Sequence, residues 1–268
     1  MTPIFKTIGV LRFSVLTPTY YSERFPTLED TAAHLFSDAR MDLRFRVFEN
    51  LCLPSLVKQT DAGFDAVILT AESLPERHME RLAALLAPHD NIHLRPVGTD
   101  NHYQLLRSAF DSIPVEDATH RIMFRLDDDD AVDMEFIART KRIARGLFHI
   151  HDDPPPTIIA YNRGFYVAQD GENTEVFDAV ERAPLSTGVT LVAPLDHRTN
   201  PYRFVHRKFA QHYNVYSDIS VPGFVRTIHG DNKSNPSIMG ISHKMKPGEI
   251  ARQLETHFGL TIDALKAL

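Results

Sequence analysis

The feature that most constrains this chain is an apolar run, Ile122 to Leu126, that ends in four consecutive aspartates, Asp127 to Asp130. A short run of this composition suits a buried strand. Side chains of an extended strand alternate faces, so Asp127 and Asp129 are expected on one side and Asp128 and Asp130 on the other. Two carboxylates on one face repel each other unless a cation lies between them, and a divalent cation lets both stay ionised. Oxygen ligation favours magnesium, manganese or calcium over zinc. Strand C-termini are also where open α/β sheets bind ligands. The plain alternative is a solvated acidic turn whose last aspartates cap the next helix. The strand before the run and the helical pattern after it favour the metal site.

Length and charge narrow the class further. At 268 residues the chain has room for one large α/β domain. Its apolar content of 43% and charged content of 24% are those of an ordinary globular protein. A net charge of −6 argues against a nucleic-acid surface. The single cysteine, Cys52, excludes an internal disulfide and agrees with a reducing compartment. The apolar stretch Ile8 to Leu16 is short and interrupted by Arg12, which reads as a first strand, not a signal peptide or a membrane span. The expectation is a cytoplasmic protein without a transmembrane segment.

The first half reads as βαβαβ, which predicts a parallel sheet with helices packed on it. Arg12 to Leu16 lead into a Pro-containing loop with Thr17, Thr19 and Tyr20, residues suited to a ribose hydroxyl and a base. Residues 27–59 are helical in pattern, with a kink or restart at Pro54. Phe64 to Thr70 is a second strand, Ser73-Leu-Pro-Glu76 starts a helix that runs to Pro88, and Asn91 to Val97 is a third strand. Tyr103 to Phe110 is a short helix carrying Arg107. After the aspartates, residues 136–147 form a helix with Asp133 as N-cap and Gly146 as C-cap. A Pro-rich linker, residues 151–156, opens a second half of different character. There, residues 158–167 and 188–193 read as antiparallel strands joined by a polar loop around Gln169 to Asn173. A helix is expected over 201–212, a late strand over 225–229, a polar loop over 230–237 and a closing helix over 246–268.

Three segments in order, Ser14-Val-Leu-Thr-Pro-Thr-Tyr20, Leu53-Pro-Ser-Leu-Val-Lys-Gln-Thr60 with Phe64-Asp-Ala-Val-Ile68, and Phe124-Arg-Leu-Asp-Asp-Asp-Asp130, resemble the GT-A glycosyltransferases. Arg125 with the aspartate run, together with the late His229-Gly-Asp-Asn232, resembles the bacterial rhamnosyl transferase group within them. The resemblance implies a single GT-A-like α/β domain over residues 1–268. Its Rossmann-like, mostly parallel N-terminal sheet, with helices on both faces, forms a nucleotide-binding half (1–150), and a mixed or antiparallel part forms an acceptor-side half (151–268). It also implies transfer of a sugar, rhamnose by the group's label, from a nucleoside-diphosphate donor to a hydroxyl of a saccharide or other acceptor, as in polysaccharide or glycoconjugate synthesis. Inversion at the anomeric carbon is expected. The DxD motif falls on Asp127 and Asp129, which with His229 would hold Mn2+ or Mg2+. Nucleotide and sugar contacts are carried over to Thr17, Thr19, Tyr20, Glu72, Arg107, Arg125, Asp127 and Asp128. A general base is sought at Asp196 or His206, with Asp218 and Asp231 competing. One departure stands out: Thr70-Ala-Glu-Ser73 replaces the Asp-Asp-Gly-Ser that ends the second strand in many inverting relatives, so Glu72 inherits the base or ribose contact. The loop at 229–235 is expected to close over the diphosphate.

Two other classes compete. A sugar-phosphate nucleotidyltransferase of similar fold would carry a Gly-rich basic loop after the first strand, and residues 17–23 contain no glycine. A phosphatase with an aspartate nucleophile needs Asp-x-Asp-x-Thr, and Ala131 stands at the Thr position. A non-catalytic carbohydrate-binding protein would bind nucleotides indifferently to manganese.

Overall fold

A computed structural model describes residues 2–19, 21–170, 173–231 and 238–268. Its frame is a seven-stranded sheet in the order β10-β6-β9-β4-β1-β2-β3. The parallel block consists of β1 (Phe5–Arg12), β2 (Asp65–Ala71), β3 (Ile92–Val97) and β4 (His120–Asp127). Registers Arg12↔Asp127 and Arg12↔Leu69 bring the C-terminal ends of β1, β2 and β4 to one edge. In the second sheet, β5 (Asp130–Val132) is the edge strand.

Helices cover both faces of the first sheet, as expected. Helix α1 (Leu28–Leu35) packs Leu35 on Leu16, Tyr21 and Ala71, and one face of the sheet is covered by α2 (Asp38–Val47), α3 (Leu53–Val57), α4 (Glu76–Leu86) and α6 (Phe136–Ile150). Met41, Phe45, Phe48, Leu82, Phe136 and Ile137 form the core there with Leu11, Ile68 and Phe124. On the other face α5 (His102–Asp111) packs Leu106, Ala109 and Phe110 on Ile8, Val10 and Met123. Neighbouring strand residues therefore feed opposite cores, which is why these strands read as continuous apolar runs. Gly9 is needed where it stands: a Cβ there would sit 2.1 Å from the Phe124 ring that lies over it.

The second half interleaves with the first. Strands β6 (Thr157–Tyr161), β9 (Thr190–Pro194) and β10 (Asn214–Asp218) extend the first sheet, with β9 antiparallel to both β4 and β6. The second sheet runs β12-β8-β7-β11-β5, built from β7 (Arg163–Asp170), β8 (Asn173–Val180), β11 (Phe224–Ile228) and β12 (Ile241–Ser242) around β5. Helices α7 (Pro247–Phe258) and α8 (Ile262–Lys266) cover one side of it through Ile250, Leu254, Phe258 and Leu265.

Several local expectations are corrected. The run 158–167 splits at Asn162 into strands of different sheets, because Asn162 bonds both Asp218 and Glu181 backbones instead of continuing one ladder. The turn near 170 therefore belongs to the β7–β8 hairpin. Residues 201–212 give only a 3₁₀ turn at His206–Gln211. The closing helix breaks at Gly259, whose φ of +61° caps α7. Gly146 lies inside α6, which runs on to Ile150, and Asp133 lies two residues before the N-cap Glu135, accepting from the Glu135 N–H and from Arg139. Pro54 falls in the first turn of α3, preceded by a π turn at Phe48–Cys52 that absorbs the missing N–H. No helix among the described residues is long and apolar enough to cross a membrane.

Candidate active site

At the C-terminal edge of the parallel block a recess of about 670 Å³, its mouth included, is lined by Asp127, Asp128, Asp129, Asp130 and Asp231 and by Arg12, Arg40, Arg44 and Arg226. All four consecutive aspartates reach it. The expected alternation fails because β4 stops at Asp127 and residues 128–129 form a turn before β5 resumes at Asp130. Asp128, Asp129 and Asp130 are only 3%, 6% and 2% exposed, so their charges require partners.

The partners are arginines from other elements. Arg12, at the end of β1, hydrogen-bonds Asp127 across the parallel register. Arg44, on α2, donates Nε and Nη2 to Asp128 in a fork and Nη1 to Asp129 Oδ2 at 2.9 Å. One turn earlier Arg40 donates to Asp231 and, through Nη1, to Ser14 Oγ at 2.9 Å. Ser14 holds a left-handed φ of +54° where the chain leaves β1, so strained backbone is fixed at the cleft wall. His229, just past β11, places Nε2 3.1 Å from Asp129 Oδ2, joining residues 100 apart in the chain. Thr187 donates to Asp130 Oδ2.

These contacts set the charge states. Burial alone would push Asp127 up, but Arg12 and Arg125 outweigh it and hold the carboxyl at about 2. Asp129 is likewise held below the usual range, burial being overcome by Arg44 and His229. Burial and then repulsion from Asp129 and Asp127 carry Asp130 the other way, well above the ordinary carboxylate value, against the pull of Arg226. His206 is pushed down to about 3 by burial, then by Arg125, Arg226 and Arg207.

The structure gathers some of the sequence candidates and scatters others. Asp127, Asp128, Asp129 and His229 come together, and Arg125 lies 4.0 Å from Asp127. His206 is within electrostatic reach of Asp127, Arg125 and Arg226. Asp196 does not join them. It follows β9, whose antiparallel register pairs Pro194 with His120 at the start of β4, so it lies at the opposite edge of the sheet. There it lines a second recess with Arg107, which faces Asp111 at 3.7 Å instead of the aspartate run. Asp218 hydrogen-bonds Ser220 and lies 3.6 Å from Arg139, away from the cleft. Glu72 is exposed beside Gly98. Thr17 is buried in a smaller recess with Phe25, Thr27 and Thr31, and Thr19 is exposed. Tyr20, Asn232 and Lys233 lie outside the described residues, as does most of the 229–235 loop.

Sequence reasoning passed over Arg12, Arg40, Arg44, Tyr202 and Arg226. Arg40 and Arg44 carried a usable signal: arginines four apart on one helix face, amid the core residues Met41 and Phe45, need acids opposite. Tyr202 carried none. Its hydroxyl donates to Val10 O at 2.7 Å, and its ring lies 4.4 Å beneath Arg125 and 5.2 Å beneath Arg12.

Among solved structures, the chain is similar to S. aureus TarS 1-349, at 12% identity and a TM-score of 0.43 over 83% of this chain and 60% of that one. The same protein in complex with UDP gives 11% identity, a TM-score of 0.42 and coverage of 83% and 60%. A structure described as "a Putative Glucose-1-Phosphate Thymidylyltransferase from Bacillus anthracis in Complex with a Sucrose" gives 10% identity and a TM-score of 0.36, over 82% of this chain and 89% of that one. The chain thus spans about three-fifths of the TarS chain it matches. No curated protein matches it. The model of one protein family, described as "Putative rhamnosyl transferase", matches residues 6–241, and the chain belongs to that family.

Proposed function

We propose that the chain is a metal-dependent glycosyltransferase that moves a sugar, rhamnose by the family's description, from a nucleoside-diphosphate donor to an acceptor hydroxyl with inversion. The observation that carries this is the convergence of Asp129 and His229 beside Asp127 at the C-terminal edge of the parallel strands. Among the described residues no three acid, histidine or cysteine side chains converge into a cage. Magnesium and manganese do not require one, since they bind through one or two side chains and complete their shell with water and substrate phosphates. Asp129 Oδ2 and His229 Nε2 converge within 3.1 Å of each other at the cleft, and these two side chains would hold the ion. The donor set fits. Held there by Asp129 and His229, a divalent ion would supply charge neutralisation for the leaving diphosphate.

The chain's own residues do the rest. Arg44 fixes the orientation of Asp128 and Asp129 from α2, and Arg12 fixes Asp127. Arg40 and Asp231 close the wall beside Tyr21, whose ring lines the same cleft. Of the four base candidates, Asp231 lines the cleft but is tied to Arg40, and His206 lies by the cleft, where its neutral imidazole accepts the hydrogen bond of the acceptor hydroxyl.

The test is a thermal shift with UDP, GDP and dTDP, with and without manganese, on wild type and Asp129→Asn. A ligand at a hundred times its Kd stabilises by about 2.7 kcal/mol. Wild type should shift with one diphosphate only when manganese is present, and Asp129→Asn should lose that shift and about 10²–10³-fold in turnover. Wild-type turnover in Asp129→Asn would overturn the reading.

A further inference from the structure

Three of the four arginines lining the cleft, Arg12, Arg40 and Arg44, are hydrogen-bonded to its aspartates. Arg226 is not. It stands opposite Asp130 in the β5–β11 register and lines the open space, with no hydrogen bond or ion pair to any described residue. Arg125 is in a similar state. It approaches Asp127 no closer than 4.0 Å, its side chain is 12% exposed and its Nε is buried without an acceptor. Removing a guanidinium from water without hydrogen-bonding it costs stability. Arg226, half-buried at the cleft wall, and Arg125, with one buried nitrogen lacking an acceptor, are placed for a ligand that supplies the acceptors. A guanidinium forks onto a carboxylate or a phosphate.

We propose that Arg125 and Arg226 form an oxyanion-binding corner on the acceptor side of the cleft, so that the acceptor carries a carboxylate or a phosphate. The inference rests on the glycosyltransferase reading above. Proximity to His206 assigns the corner to the acceptor. Asp129, Arg44, Arg40 and Tyr21 make up the metal and diphosphate side together with His229, which follows β11. Arg226 of β11 and Arg125, which rests on Tyr202 from the segment after β9 that also supplies His206, are the two groups whose charges bear most on that imidazole. Tyr202 is itself fixed to the backbone of β1, which holds Arg125 in one place before substrate arrives. After burial, these two arginines head the groups that strip His206 of basicity. An anion seated on them offsets their charge, so the imidazole becomes a better proton acceptor when the acidic acceptor is bound.

The experiment measures binding to the full chain with manganese at pH 7, by calorimetry, using inorganic phosphate, D-glucuronate and, as the uncharged control, D-glucose. Nucleoside diphosphates form a separate arm. Arg226→Gln should fold with an unchanged Tm, since its guanidinium holds no described residue by a hydrogen bond or ion pair, whereas Arg125→Gln gives up its 4.0 Å ion pair with Asp127 and should fold with a slightly lower Tm. Wild type should bind phosphate or glucuronate but not glucose, and each variant should bind about tenfold or more weakly. Arg226→Lys, which keeps the charge without the fork, should recover part of the loss. Nucleoside diphosphate binding should stay as in wild type in Arg226→Gln. Failure of both acids to bind wild type, or equal binding by the variants, would overturn the corner. Loss of diphosphate binding in Arg226→Gln would move the corner to the donor and overturn the acceptor assignment. If the acids bind and no nucleoside diphosphate does, the corner stands and the glycosyltransferase reading falls.

Discussion

Asp127 to Asp130 and Asp133 lie within one short stretch of chain and have opposite surroundings. Asp133 is completely buried and forks onto Arg139, whose guanidinium also lies 4.9 Å from the Tyr161 ring and 3.6 Å from Asp218. It faces no open space. Of the four consecutive aspartates, Asp128 to Asp130 are nearly as buried and Asp127 is half-buried, but all four line a cleft, and three of them hold arginines brought from β1 and α2. An acid–arginine pair is therefore not a functional mark by itself. What distinguishes the two is whether a ligand can reach the pair.

Breaking the enclosed pair gives the largest expected effect. Arg139→Met leaves Asp133 buried and unpaired, which costs about 3–5 kcal/mol. Thermal unfolding should show a Tm lower by roughly 10 °C, with diphosphate binding intact at temperatures where the variant is folded. A small loss of Tm would erase the contrast drawn above.

The cleft pairs should answer to pH instead. Asp127 sits at about 2 in the folded chain, below the ordinary carboxylate value of about 4. Its ionised form therefore contributes stability that is fully present above about pH 4 and is lost as the pH falls toward 2. Arg12→Met removes the partner at the head of that shift. The stability gap between wild type and the variant should narrow by up to about 2 kcal/mol between pH 4 and pH 2. A pH-independent gap in denaturant titrations would show that Arg12 acts through packing alone.

The smallest effect is expected at the far edge of the sheet. Asp196→Asn and Arg107→Gln alter exposed groups that share a recess away from the aspartates. Turnover should stay within about twofold and stability within about 0.5 kcal/mol. A large loss of turnover in Asp196→Asn would return it to the reaction and break the division between the two edges.

Much of the site was legible because it is local. An apolar run followed by aspartates fixes both the strand and the place where it must stop, since four adjacent carboxylates cannot continue into a core. His229 was legible through the resemblance of its segment. Asp196 was misplaced for a reason sequence spacing cannot reveal. Strand β9 is antiparallel to its neighbour, which carries its C-terminal end to the other edge of the sheet. The misassigned cap at Asp133 has a similar origin, because an N-cap role is a local preference and a buried arginine six residues on outcompetes it.

Taken alone, the chain's sequence determined the βαβαβ order, the strand that ends at Asp127, the mostly parallel sheet and the family resemblance, because periodicity and turn residues act over a few positions. Only tertiary structure decided which charges meet. Arg12, Arg44 and His229 are 115, 84 and 100 residues from the aspartates they contact, and Arg226 reaches Asp130 through the register of a second sheet. Such pairings depend on strand order and direction, which are set by how whole faces are buried and leave no trace in the spacing of any one segment.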